Sequence, residues 1–333
     1  MKRLGAETAK AALSAIQGQK ILVLGDLILD EYLFGEVERI SREAPVPIVR
    51  VTWERSVLGG AANVASNLMA LGAAPLLVGV VGGDAAGARL QKLVSALGVD
   101  GAGLVVSPQH PTTIKTRVIG QHQQMLRIDR EEHGPLCAQT TESLLDRLSK
   151  TMPNASAVIV SDYGTGVVGK EVMDALRERA AAGGIPWVVD PKPAHKKLYF
   201  GATAMTPNTK EFAELTPLTA KSDAELAEAA AALVAELGLM GLLVTRGEKG
   251  MALLSPGNGD RPPEMIPTDA VEVFDVSGAG DTVIAVFTAA LAAGRGWPDA
   301  ALLANAAAGV VVGKMGTATA TPQEILDRLR ARG

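Results

Sequence analysis

Short apolar runs alternate with Ala-rich helical stretches along almost the whole chain, and that alternation leaves few folds open. Apolar runs cover residues 20–25, 75–81, 157–160, 187–189, 202–206 and 242–245. Helical stretches follow over 59–70, 84–97, 139–150, 170–182 and 224–237, and again over 282–293, 298–312 and 322–330. Strands that are apolar throughout and separated by helices belong in a mostly parallel sheet covered on both faces. Ligands of such sheets lie beyond the strand C-termini. Asp26, Asp162, Lys192, Asn208, Thr245 and Asp281 all fall there. Two segments break the pattern. Residues 33–53 mix charges with Pro45, Pro47 and a β-rich run, and residues 112–119 and 124–129 are again β-rich and polar. They read as exposed strands projecting from the core, a lid over about 32–53 and 110–130. Runs at 251–254 and 265–268 can pair around a Pro- and Gly-containing loop. Residues 1–19 read as a short amphipathic helix rather than a signal peptide.

Composition narrows the partners. The chain has 333 residues, 47% hydrophobic and 20% charged, enough for a large core in one domain with an excursion. A net charge of −4 and 3% aromatic residues give no basis for nucleic-acid or anionic-membrane binding. No window is apolar for about 18 residues, so no membrane span is expected. A single cysteine, Cys137, fits a reducing, cytoplasmic setting. The histidines at 110, 122, 133 and 195 lack metal-ligand spacing.

The chemistry concentrates in Asp275-Val276-Ser277-Gly278-Ala279-Gly280-Asp281. The run over 271–274 before it reads as a strand, and the Thr282 side reads as a buried helix. Small residues at that turn let a ligand approach the backbone, and helix-start amides attract an anion. A carboxylate at the same place suits phosphoryl transfer, with amides on the moving phosphate and Asp281 on a hydroxyl proton. The plainer reading is a helix start with an acid favourable to the dipole. Walker A is absent: Gly309 to Lys314 is one residue short and Met315 replaces Ser or Thr. The dinucleotide fingerprint is absent after the first strand, where Gly25-Asp26-Leu27-Ile28 stands.

Four motifs carry a resemblance. Gly59-Gly60-Ala61-Ala62-Asn63 and the 275–281 stretch are similar to the two signatures of the ribokinase/PfkB carbohydrate kinases. Between them, Asn208-Thr209-Lys210-Glu211 resembles that family's N-x-x-E, and Thr245-Arg246-Gly247-Glu248-Lys249-Gly250 its T-x-G-x-x-G. All four stand in the family's order. The segments Ile40 to Pro47, Ser161-Asp162-Tyr163, Asp190-Pro191-Lys192, Ala204 to Asn208 and Asn305 to Lys314 further resemble the D-glycero-β-D-manno-heptose 7-phosphate kinases of lipopolysaccharide precursor synthesis. In many bacteria that kinase is fused to an adenylyltransferase. The chain ends about where the kinase would and has no H-x-G-H motif, so the stand-alone form, without a C-terminal nucleotidyltransferase domain, is expected. Val276 stands where the wider family usually has Thr, and Pro193 where Gly is expected.

The resemblance implies a three-layer α/β/α ribokinase-like fold, with a small β-sheet lid on a mostly parallel sheet. It also implies roles. Asp281 would be the base, with the amides of Gly278, Ala279 and Gly280 on the γ-phosphate. Asp26, Gly59, Gly60, Asn63 and Asp162 would meet the sugar. Asn208 and Glu211 would organise Mg²⁺ and phosphates, Glu211 through water. Thr245, Gly247, Gly250 and Lys192 would lie along the nucleotide phosphates, and Asn305 by the adenine or ribose. ATP is the implied co-substrate, and a monovalent cation such as K⁺ near Asp275 and Ser277 is an option. Lys115 and Arg117 alternate on one face of a strand, and with Arg42 they would hold the 7-phosphate. Each residue has a plainer reading: a turn Asp at 26, helix-start residues at 59–63, a Pro-Asn turn at 208, a polar residue tolerated in a helix at 305, a solvated Lys192, and an edge strand charged against aggregation at 115–117. The lid would pair between protomers in a homodimer. The function implied is phosphorylation of the C1 hydroxyl of the heptose phosphate to the 1,7-bisphosphate. The alternatives are a ribokinase-like kinase for fructose phosphate or an unphosphorylated sugar, or a non-catalytic sugar- or nucleotide-binding regulator.

Overall fold

A computed structural model describes residues 4–121, 123–216, 222–257, 262–270 and 273–331. The chain opens with α1 (Ala6–Ile16) and β1 (Lys20–Gly25), followed by β2 (Leu27–Ile40), β3 (Pro47–Gly60) and α2 (Ala61–Ala70). Then come β4 (Ala74–Gly82), α3 (Ala85–Ala96), β5 (Leu104–Ser107), β6 (Thr113–Gly120), β7 (Gln123–Arg130) and α4 (Ala138–Thr151). The middle holds β8 (Ala157–Ser161), α5 (Lys170–Gly183), β9 (Trp187–Asp190), β10 (Ala204–Met205), α6 (Thr209–Leu215) and α7 (Asp223–Leu237). The last third holds β11 (Gly241–Thr245), β12 (Met251–Leu254), β13 (Glu264–Ile266), α8 (Ala279–Ala292), α9 (Trp297–Val311) and α10 (Pro322–Arg330).

Among the described residues the large sheet runs β13-β12-β11-β10-β9-β8-β1-β4-β5. It is parallel except at the β11–β12–β13 edge. β1 shows why the apolar runs had to be central. Ile21 and Val23 enter one core cluster, Leu22 and Leu24 the other, so both faces of the strand are covered. On the first face lie α1, α2, α8 and α9. Every residue of α8 from Asp281 to Ala290 is buried, which is why its sequence is apolar all round rather than in one stripe. Phe287 on α8 is closed off by the edge of Trp297, with ring centroids 5.6 Å apart.

The second sheet has the order β3-β2-β6-β7. The expected excursions are there, but the first is longer than expected at both ends, while the second begins at Thr113 as expected. β2 starts at Leu27, one residue past β1, because Leu27 and Leu29 still pack in the core. The root of the β2–β3 hairpin is closed by the Ala61 amide, which donates to the Asp26 carbonyl at 3.0 Å. Gly60 there has φ +56°, and a Cβ would fall 2.5 Å from that same carbonyl oxygen. Thirteen registered pairs run from Leu27↔Gly60 to Ile40↔Pro47, a reach of roughly 40 Å at about 3.3 Å per residue.

Two expectations need correction. The run at 271–274 is not a strand over Val273 and Phe274, which are 61% and 67% exposed. No neighbouring strand meets them, and the amides of Phe274 and Asp275 donate instead to the Val312 carbonyl at the end of α9. Val271 and Glu272 lie outside the described residues, as do residues 1–3 of the N-terminal segment and His122. β10 keeps only two residues of the 202–206 run.

Candidate active site

The strand ends converge as the topology requires. Gly25, Ser161 and Asp190 are in register at the C-terminal edge of β1, β8 and β9. Asn208 and Thr245 form a parallel bridge farther along that edge. Asp281 is brought over them by α8, which packs on β8 and β9.

Gly278 caps α8 in the left-handed region at φ +76°, and a Cβ there would fall 2.7 Å from Asn63 Nδ2. The first intrahelical bond is Thr282 N–H to Gly278 O at 3.0 Å. The first-turn amides of Gly280 and Asp281 therefore have no helical partner. The Ala279 amide, expected on the phosphate, donates to the Val276 carbonyl at 3.2 Å instead. The turn is exposed at Gly280.

Asp281 is 3% exposed. Burial pushes its carboxyl up to about 7, against hydrogen bonds from Asn63 and Tyr163 and with the charge of Asp30 adding to the rise. Asn63 Nδ2 donates to Oδ2 at 2.7 Å and the Tyr163 hydroxyl to Oδ1 at 3.1 Å. Asn63, expected on a sugar hydroxyl, thus engages the Asp281 carboxylate. Its neighbour Asn67 accepts from the Thr282 hydroxyl at 2.8 Å, locking α2 to α8 one turn on.

A cavity of about 210 Å³ opens on one side of Asp281. Asp162, Lys192, Asn208, Glu211, Thr245, Gly278 and Gly280 line it, so these expected residues are brought together. Asp190, which the sequence reading left without a role, joins them. Burial and the charges of Glu211, Asp281 and Asp162 push its carboxyl well above the usual range. Burial also raises Glu211, against the hydrogen bonds from Asn208. Asn208 and Glu211 form a capping box on α6. Asn208 Oδ1 accepts from the Lys210 and Glu211 amides at 2.9 and 3.0 Å, and the Asn208 amide donates to Glu211 Oε2 at 2.9 Å. The plain and the functional reading of this pair therefore coexist: the box fixes two side chains at the cavity wall. Mutually repelling oxygen donors suit a hard cation. No group of three or more metal-ligating side chains converges among the described residues. The fit is to a hydrated Mg²⁺ held through water.

Asp30, whose charge reaches Asp281, is 4% exposed and ion-paired with Arg117. A Cβ on Gly59 would fall 2.3 Å from Asp30 Oδ2, so the glycine makes room for this acid. Arg117 also stacks over Tyr32 at 5.3 Å. Tyr32, Arg117, Asp275, Phe34 and Trp53 face a second cavity of about 820 Å³ under the small sheet. Phe34 and Trp53 stack there at 3.8 Å. Burial pushes the Asp275 carboxyl up, but hydrogen bonds from Ser277 and Gly316 and the Arg117 charge hold it below the usual range.

Several expectations fail on geometry. Asp26 is not open to a sugar: it is wholly buried, and its carboxylate accepts the amides of Tyr163, Thr165 and Val167 at 2.7, 3.2 and 3.1 Å. Asp30, four residues on, is instead the buried acid that pairs with Arg117, and an acid directly after the apolar run 27–29 was the signal for it. Asp162 lines the cavity, but its carboxylate is engaged by Gly164 N–H at 2.8 Å, His195 Nδ1 at 2.7 Å and the Tyr199 hydroxyl at 2.6 Å. Lys115 is tied to Asp129 at 3.3 Å and Glu131 at 2.7 Å, away from Asp30. Arg42 sits exposed in the 41–46 turn at the hairpin tip. Asn305 donates to the Pro267 carbonyl at 2.8 Å. Gly250 serves a turn: at φ +80° its Cβ would fall 2.0 Å from the Ile266 carbonyl oxygen. Gly247, at φ +57°, faces open space and does not line the cavity.

Most of the chain is similar to known proteins. Residues 19–324 match the pfkB family carbohydrate kinase. The chain is 45% identical over 311 residues to the bifunctional protein HldE of Paramagnetospirillum magneticum, covering 93% of this chain and 63% of that one. It is 44% identical to HldE of Actinobacillus pleuropneumoniae, covering 96% and 65%. The chain thus spans a little under two thirds of the length of these relatives. In fold it is similar to Arabidopsis thaliana ribokinase complexed with ribose and ATP, at TM-score 0.71 and 21% identity, covering 94% of this chain and 99% of that one. It is also similar to Escherichia coli phosphofructokinase-2 in complex with potassium, at TM-score 0.77 and 19% identity, covering 95% and 99%. A buried carboxylate at a glycine-capped helix start, a cavity of acids and one lysine beside it and this match over most of the chain lead to one conclusion: the chain belongs to the pfkB family of carbohydrate kinases.

Proposed function

We propose that this kinase transfers the γ-phosphoryl group of ATP to the C1 hydroxyl of D-glycero-β-D-manno-heptose 7-phosphate, giving the 1,7-bisphosphate and ADP. The observation that carries the reading is Asp281, a buried carboxylate on a cavity lined by Lys192, Asn208 and Glu211, and coupled by charge to Asp30, whose partner Arg117 lines the larger pocket under the small sheet. The sugar hydroxyl lies against Asp281, which takes its proton as the oxygen attacks phosphorus. The Gly280 side of the α8 start and Lys192 meet the transferring phosphate. Glu211 and Asp190 would hold a hydrated Mg²⁺, which when bound neutralises charge on the phosphates. The motifs shared with heptose 7-phosphate kinases support the sugar. Arg117 supports a phosphorylated one, in a subsite where it is already partnered by Asp30, so a phosphate there shares or displaces that carboxylate.

Exposed Ile48, Val51, Leu126 and Ile128 on the small sheet support its role as a lid that pairs two copies. Closing that sheet over the sugar excludes water and suppresses ATP hydrolysis. The cytoplasm, where ATP is supplied, is the proposed compartment. The test is a coupled ADP-release assay over heptose 7-phosphate, fructose 6-phosphate and unphosphorylated sugars. Heptose 7-phosphate is expected to give the highest kcat/KM. Preference for an unphosphorylated sugar would reject the substrate, and a protein inactive on every sugar would favour a binding role.

A further inference from the structure

The two oxygens of Asp281 are held by different parts of the fold. Asn63, on α2, is fixed by the buried helix pair. Tyr163 comes from the loop after β8, and that loop is anchored with unusual thoroughness. Asp26 takes the amides of Tyr163, Thr165 and Val167, and Asp162 takes that of Gly164. A wholly buried acid thus fixes the backbone of a segment whose phenol reaches Asp281 Oδ1. The charged or titratable groups around Asp281 are Tyr163 from this loop, Asp30 from β2 and Asp190 from the end of β9, with Arg117 of β6 paired to Asp30, and Asp162, Lys192 and Glu211 line the same cavity.

We infer that Tyr163 is a positioning residue for the base: its hydroxyl fixes the Asp281 carboxylate and sets the pH range in which that carboxylate accepts the sugar proton. The inference rests on Asp281 being the base. In the transfer, the sugar O–H bond breaks and its proton goes to Asp281. The sugar oxygen bonds to the γ-phosphorus, and the bond to the β–γ bridging oxygen breaks with its electron pair leaving on ADP. Tyr163 keeps its own proton throughout. Burial and the charges of Asp281, Asp190 and Asp30 push its phenol well above the usual value. It therefore donates across the working pH range and never competes as a base. A hydrogen bond donated to a carboxylate favours the charged form, so removing the hydroxyl makes Asp281 harder to ionise.

The test is Tyr163→Phe, read through the pH dependence of kcat/KM for the sugar. The acid limb is expected to move up by about one pH unit, the scale set by a hydrogen bond to a charged group. Activity at pH 7 is expected to fall about fivefold and to return at higher pH, while KM for ATP stays within about twofold. Independently of any substrate, ¹³C-carboxyl titration of aspartate-labelled protein reads Asp281 directly, its signal assigned by loss in Asp281→Asn. That titration is expected to move by the same amount. Should the phenylalanine variant not fold, 3-fluorotyrosine at position 163 keeps ring and hydroxyl while strengthening the donor, and it moves both readouts downward. Readouts that do not move in either replacement overturn the inference, whatever happens to the rate. An active Asp281→Asn enzyme would instead remove the base assignment beneath it.

Discussion

Asp281 is an acid held where its charge is disfavoured, and that placement links catalysis to stability with opposite signs. As a base it must be ionised, so kcat/KM should rise with pH through about 7, the value its burial sets. Asp281→Asn should lower kcat by roughly 10³-fold, the range expected for a general base. Stability runs the other way. A carboxyl raised above its unfolded value near 3.8 contributes stability below that value, and the contribution is lost as pH rises through about 7. The melting temperature of the parent should therefore decline between pH 5 and 8 more steeply than that of Asp281→Asn, as calorimetry at matched ionic strength would show. Parallel declines would mean that the carboxyl is not raised.

Two elements decide what the sugar meets: α8, which was legible in the sequence, and the small sheet, which was legible only in outline. The apolar, glycine-free run after Asp281 announced a buried helix, and Phe287→Ala on it should destabilise the fold by about 3–5 kcal/mol in denaturant titration. The small sheet could be recognised as exposed β-structure, but not its register. The register sets Lys115 beside both Asp30 and Asp129, and the side chains then divide: Arg117 reaches diagonally to Asp30 while Lys115 turns to Asp129 and Glu131. Arg117→Met should raise KM for a phosphorylated sugar at least tenfold, whereas Lys115→Met should change it less than threefold, because only Arg117 lines the pocket. Equal effects would place the phosphate elsewhere. The same limit explains Asp26. A strand-terminal acid can face a ligand or its own backbone, and only the path of the 162–167 loop shows that three amides claim it. Asn63 and Asn305 misled for a similar reason. Their helices were predicted, but their partners, Asp281 and the Pro267 carbonyl, are 218 and 38 residues away in sequence.

At the scale of the whole molecule, alternating strands and helices place the strand ends, α6 and the start of α8 around one cavity, while the small sheet lines a second, larger one. Exposed Leu126 and Ile128 on that sheet predict a dimer. Leu126→Asp with Ile128→Asp should give a folded monomer in sedimentation velocity, with KM for the sugar raised through loss of an ordered lid. A dimer unaffected by both changes would put the contact on another face. The central claim, that Asp281 drives phosphoryl transfer to an anomeric hydroxyl, is tested most directly by ³¹P NMR of the protein with ATP, Mg²⁺ and D-glycero-β-D-manno-heptose 7-phosphate. The account predicts ADP and a sugar 1,7-bisphosphate, whose new resonance is split by the anomeric proton, and no such resonance with Asp281→Asn. A phosphate on another carbon, or the same product from Asp281→Asn, would contradict it.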